Sequence, residues 1–124
     1  SLAYAERARE AGITVITRDE LRSRSMNDVM AQALEIAGAA GGPIHVDLDV
    51  DVCDRSVAPG CPASVPGGIA AIDLRVAARL AGAHPAVSSL DLVEVDAAAD
   101  SADERTVRLV ALCVLEAISG AETR

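Results

Sequence analysis

Short runs of strand character alternate with apolar stripes of helical period along this chain, and that alternation limits the folds open to it. The runs "ITVIT" at 13–17, "IHVDLDVDV" at 44–52 and "AVSSLDLVEVD" at 86–96 read as strands. "LAYAERAREA", 2–11, reads as a helix that Gly12 ends. "MNDVMAQALEIAGAA", 26–40, aligns Val29, Ala33, Ile36 and Ala40 on one stripe, with Asp19 or Ser25 placed to cap it and Gly41-Gly42-Pro43 breaking it. "IAAIDLRVAARLAG", 69–82, and "ERTVRLVALCVLEAIS", 104–119, complete the helices. This order predicts an α/β fold, a parallel sheet covered by helices with right-handed connections. No boundary interrupts it, so 1–124 is read as part of one α/β domain.

There is no Trp or Phe and a single Tyr, so Ala, Val, Leu and Ile must fill the core. The net charge of −8 argues against nucleic acid as a partner and against adsorption to an anionic membrane. No apolar run reaches the roughly 20 residues of a membrane span, and no secretory leader pattern opens the chain. A cytoplasmic protein is the expectation. Cys53, Cys61 and Cys113 form no C-x-x-C and are read as reduced thiols, partly buried. His45 is assigned to the register of Val50 and Val52, away from the aspartates. His84 is assigned to a loop, and neither histidine is read as a ligand.

The middle strand carries the chemistry. Asp47, Asp49 and Asp51 alternate with Leu48, Val50 and Val52, so three carboxylates are predicted on one face. Like charges packed this way repel, and desolvation worsens the cost. A divalent cation with a preference for oxygen ligands removes that cost. An EF-hand is excluded, because a loop starting at Asp47 would have Val52 at its glycine position and Ala58 at its glutamate position. A bare D-x-D also occurs in metal-dependent transferases and nucleases, and a solvated acidic strand carries the same letters. The loop at 55–68 is long for a β-to-α connection of about 2–6 residues, and long loops after parallel strands are where open α/β sheets place their sites.

The longer pattern "VDLDVDVCDRSVAPGCPASVPGGI" resembles the second metal-binding motif of the ureohydrolase family of arginases, agmatinases and formimidoylglutamases. Asp49, Asp51 and Asp54 take its acidic positions, Ala58-Pro59-Gly60 its turn and Gly67-Gly68 its glycine pair. "YAERAREAGITVIT" and "LDLVEVD" with Asp100 resemble the flanking regions. The resemblance implies a three-layer α-β-α, arginase-like fold, present as a fragment of three strands and about four helices. It implies two Mn²⁺ ions, with Asp49 bridging them and Asp51 binding one. It implies that Asp54 fixes the loop and that Glu94 holds the cationic group of an amidine or guanidine substrate. Asp96 and Asp100 are read as loop caps.

Asp47 stands where the family has Ser, and Arg55 where it has Pro. Asp47 is read as bonded to a neighbouring loop, or as a partner that orients a metal ligand. The implied reaction is hydrolysis of a C–N bond. Formimidoylglutamate, giving glutamate and formamide in histidine breakdown, is the first substrate, with agmatine or arginine as alternatives. A homo-oligomer is also implied. The family's histidine-bearing first motif has no match here, so the chain is read as a carboxyl-terminal portion that is inactive alone. A non-catalytic module with an incomplete metal site is the alternative.

Overall fold

A computed structural model describes residues 2–124. The helices are α1 (Leu2–Glu10), α2 (Met26–Gly38), α3 (Ala71–Ala83) and α4 (Arg105–Ala121), and the strands are β1 (Ile44–Asp49) and β2 (Val87–Val93). Short 3₁₀ turns occupy Glu20–Arg22 and Val50–Val52. Ser25 caps α2. Its hydroxyl accepts the Asp28 N–H at 3.2 Å, and the Asp28 carboxylate accepts the Ser25 N–H in return at 3.4 Å. At the start of α3 the Asp73 carboxylate accepts the Ala70 N–H at 3.2 Å.

β1 and β2 pair in parallel, with His45 opposite Ser89, Val46 opposite Leu90, Asp47 opposite Asp91, Leu48 opposite Leu92 and Asp49 opposite Val93. Partners in a parallel pair share a face. Val46, Leu48, Leu90 and Leu92 therefore face one way, and they pack with Leu74, Ala77 and Ala78 of α3, Leu109 and Cys113 of α4 and Met30 of α2. Ile44 and Val87 extend this core to Leu34 of α2. Burying an aliphatic side chain of this size contributes about 1.5–3 kcal/mol. The opposite face carries His45, Asp47, Ser89 and Asp91, all exposed.

α3 and α4 cross closely because glycines stand at the contact. A Cβ on Gly82 would lie 2.0 Å from the Ala117 carbonyl oxygen, and one on Gly120 would lie 2.2 Å from that of Arg79. Glu116 of α4 also takes Arg75 and Arg79 of α3, at 2.5 and 2.7 Å.

Three expectations need correction. Residues 13–17 form no strand. The segment after Gly12 (φ +70) has no regular secondary structure, and among the described residues no strand lies beside it to complete a hydrogen-bonded ladder. Ile13 and Val15 are each 60% exposed as a result. The sheet described here thus has two strands rather than three. β1 ends at Asp49, not Val52, because the Asp49 side chain accepts the Asp51 N–H and turns the chain into a 3₁₀ turn. Asp51 therefore leaves the two-residue alternation that would have aligned it with Asp47 and Asp49. Last, the alternation places His45 on the face of Asp47, not with the valines. Its Nδ1 lies 2.8 Å from Ser89 Oγ and its Nε2 lies 3.5 Å from Asp91 Oδ1.

Candidate metal centre

β1 delivers Asp49 to the carboxyl end of the sheet, and the turn that follows places Asp51 beside it. Both are half-buried. The Asp49 carboxylate accepts the Asp51 N–H at 2.9 Å. The Asp51 carboxyl is pushed above the usual carboxylate range, first by loss of surrounding water, then by the charge of Asp49 and a hydrogen bond with it. Two crowded carboxylates without a counter-charge have the donor chemistry a hard divalent cation requires. Their number is small against the roughly six oxygen ligands such an ion takes. Among the described residues, no three His, Cys, Asp or Glu side chains converge as a metal-holding group.

Hydrogen bonds within the chain hold the loop after β1 in shape. Asp54 accepts the Ser56 N–H at 2.9 Å, the Ser56 hydroxyl at 2.6 Å and, across the loop, the Gly67 N–H at 2.7 Å. These bonds, led by the Ser56 hydroxyl, hold its carboxyl down at about 2. Gly68 lies so close to the backbone of Cys53 and Asp54 that a Cβ would sit 2.2 Å from the Cys53 carbonyl carbon. Cys53 and Ile69 form a parallel bridge there. Cys53, Cys61 and Cys113 are all free and fully buried rather than partly so, and burial pushes the Cys53 thiol up to about 12.

The loop after β2 docks on the same end. Asp96 donates its N–H to the Gly60 carbonyl at 2.8 Å, and the Gly60 N–H donates to the buried Thr106 hydroxyl at 2.9 Å. Asp100 accepts the Thr106 hydroxyl at 2.7 Å and the N–H groups of Thr106, Val107 and Ser101 at 2.9, 3.0 and 2.9 Å, which caps α4. Asp96 accepts the Ala98 N–H at 3.0 Å. Glu94 follows Val93, the register partner of Asp49, so Asp49 and Glu94 mark the same end of adjacent strands. Glu94 is exposed, and its φ of +63 is a left-handed conformation that costs a non-glycine residue energy. Asp47 lies two residues deeper in the strand, exposed beside Asp91, and no loop among the described residues is bonded to its carboxylate.

Sequence reasoning missed the arginines that brace this end. Arg55 reaches the carbonyls of Cys61 and Pro62 at 2.8 and 3.4 Å, and Arg105 reaches that of Ser56 at 3.0 Å. Arg18 donates to the carbonyls of Gly67 and Gly68 at 2.9 and 3.3 Å. Only Arg55 left a sequence signal, by standing where a proline was expected.

A sequence model of the arginase family matches residues 1–120. The chain belongs to the arginase family. Within it, formimidoylglutamase of Bacillus subtilis (strain 168) is 32% identical over 120 residues, which cover 97% of this chain and 37% of that protein. The crystal structure of formimidoylglutamase from B. subtilis subsp. subtilis str. 168 superposes with a TM-score of 0.91 at 31% identity, covering 98% of this chain and 38% of the other. An agmatinase of Photorhabdus laumondii is 33% identical over 99 residues, 79% of this chain and 31% of that protein. A Trypanosoma cruzi formiminoglutamase solved with Mn²⁺ superposes at a TM-score of 0.81 and 25% identity, covering all of this chain and 41% of the other. The chain thus has the α/β fold of arginase-family hydrolases and spans well under half the length of the relatives it matches. Among the described residues, no helix is long and apolar enough to cross a membrane.

Proposed function

We propose that residues 1–124 form a carboxyl-terminal part of a ureohydrolase domain and supply part of a binuclear Mn²⁺ centre that hydrolyses a C–N bond of a linear amidine or guanidine. The carrying observation is the placement of Asp49, Asp51 and Glu94 at one end of two adjacent parallel strands. Asp49 and Asp51 would hold metal, and the raised proton affinity of Asp51 comes first from its loss of surrounding water and then from the charge of Asp49. When bound, the metal pair supplies a water of lowered pKa and a Lewis acid. Glu94, fixed by its left-handed backbone, would orient the substrate's cationic carbon centre through charge-assisted hydrogen bonds. Asp54 holds the loop below them. Asp47 is proposed as a neighbour of the site rather than a ligand.

Formimidoylglutamate is the first substrate of this reading, since the formimidoylglutamase relative matches over nearly the whole chain. Agmatine is second, on the agmatinase match. Two carboxylates cannot complete two metal shells, so the remaining donors come from outside these residues, and this chain alone is inactive. The reading places the protein in the cytoplasm, in an assembly of identical copies. The test is a titration of the purified chain with MnCl₂, followed by amide NMR, with a formimidoylglutamate assay alongside. Paramagnetic broadening should centre on residues 49–51 and disappear in Asp49→Ala, with no turnover. Broadening centred elsewhere would remove Asp49 and Asp51 from the site, and metal-dependent turnover would show that these residues suffice.

A further inference from the structure

A cavity of about 370 Å³ lies between the N-terminal halves of α3 and α4, within the size range of small-ligand sites. Arg75, Arg105, Arg108 and Asp103 line it, together with the apolar Val57, Leu109 and Leu112. The positive charge here exceeds its local compensation. Glu116 is shared between Arg75 and Arg79, at 2.5 and 2.7 Å. Asp103 is taken by Arg105 at 2.9 Å. Arg108 makes no ion pair among the described residues. Arg75 Nε is buried and has no hydrogen-bond partner. A buried N–H left unpaired costs about 1–3 kcal/mol, a cost that an anion reached by a shift of the Arg75 side chain would remove. In a chain of net charge −8, three guanidinium groups around one half-apolar cavity form a specific electrostatic feature.

We propose that this cavity binds a small organic anion, its carboxylate or phosphate oxygens on Arg75 and Arg108 and its apolar body against Val57, Leu109 and Leu112. Planar guanidinium groups match both kinds of oxygen acceptor. The site connects to the loop after β1, because Arg105 also donates to the Ser56 carbonyl and Ser56 in turn donates to Asp54. An anion that draws Arg105 toward itself loosens that tie. The inference needs no metal and stands apart from the hydrolase reading.

The experiment is NMR of the 124-residue chain, without metal, titrated with benzoate, phenyl phosphate and inorganic phosphate. The Arg75 Nε–H signal should shift saturably, together with the amides of Ser56 and Val57. Both aromatic anions should bind more tightly than inorganic phosphate because they use the apolar lining. Tighter benzoate assigns a carboxylate ligand, and tighter phenyl phosphate a phosphorylated one. Arg108→Ala, an exposed change that leaves the core intact, should weaken binding about tenfold. Arg9→Ala on α1 should leave it unchanged. No saturable shift of Arg75 Nε with any of the three anions, or equal affinity in Arg108→Ala, overturns the proposal.

Discussion

The carboxylate of Asp54 accepts the Gly67 amide at 2.7 Å and so closes the loop that separates β1 from α3. Its folded pKa of about 2 lies below the ordinary value of about 3.9. The stabilisation is therefore fully present above pH ~4 and is lost as the pH falls toward 2. Asp54→Asn should lower the unfolding midpoint at pH 6, and the gap to the parent chain should close between pH 4 and 2. A gap independent of pH would mean that the charge of Asp54 contributes nothing.

Arg55→Pro would install the residue the family pattern favours, yet it should destabilise this chain. Proline removes the N–H that Arg55 donates to the Val65 carbonyl at 3.1 Å. It also deletes the guanidinium that holds Cys61 and Pro62. A loss of about 1–2 kcal/mol is expected in urea unfolding, with faster hydrogen exchange confined to 55–68.

Thr106→Val keeps the shape of a fully buried side chain but strands its partners. The Gly60 N–H loses its acceptor, and Asp100 loses one of its donors. The cost should be about 1–3 kcal/mol, whereas Thr106→Ser, which keeps the hydroxyl, should recover most of it.

Gly120→Ala tests the helix crossing. The new methyl would meet the Arg79 carbonyl, so α3 and α4 must separate. Overpacking of this kind costs about 1–3 kcal/mol. Denaturant unfolding should show it, and Ala121→Gly next to it, on the exposed side of α4, should cost no more than the helix propensity difference of about 1 kcal/mol.

On the proposed metal reading, Asp49→Ala and Asp51→Ala in a protein holding the complete centre should each abolish activity and lower Mn²⁺ content. Asp47→Ser should be tolerated, because it removes a carboxylate from a crowded face and leaves both ligands. Metal analysis and steady-state rates decide. If Asp47→Ser loses metal as badly as Asp49→Ala, Asp47 is itself a ligand.

Helices α3 and α4 were legible because their apolar stripes pack on one sheet face, and β1 and β2 because their buried residues alternate; α2 forms where expected, but its buried residues are Val29 and Leu34, while Ile36 and Ala40 of the expected stripe are exposed. Residues 13–17 show the limit of that signal. β-branched residues favour an extended chain, but a strand also needs a neighbour, and propensity carries no information about neighbours. Asp51 shows another limit, since periodicity assumes a continuing strand and one Asp49-to-Asp51 hydrogen bond ended it. The braces made by Arg18 and Arg105 join residues about 50 positions apart, which local pattern does not encode. The His45 assignment failed for a simpler reason: two-residue counting from Asp47 already placed it on the aspartate face.

That face has a bearing on how copies of the chain meet. Asp47 and Asp91 stand side by side on a sheet that has two strands among the described residues. Two copies approaching sheet to sheet would bring four carboxylates together in a shrinking layer of water. Their mutual repulsion opposes that one mode of approach. The acidic letters that first suggested a metal thus also set two like charges side by side on the face turned away from the core.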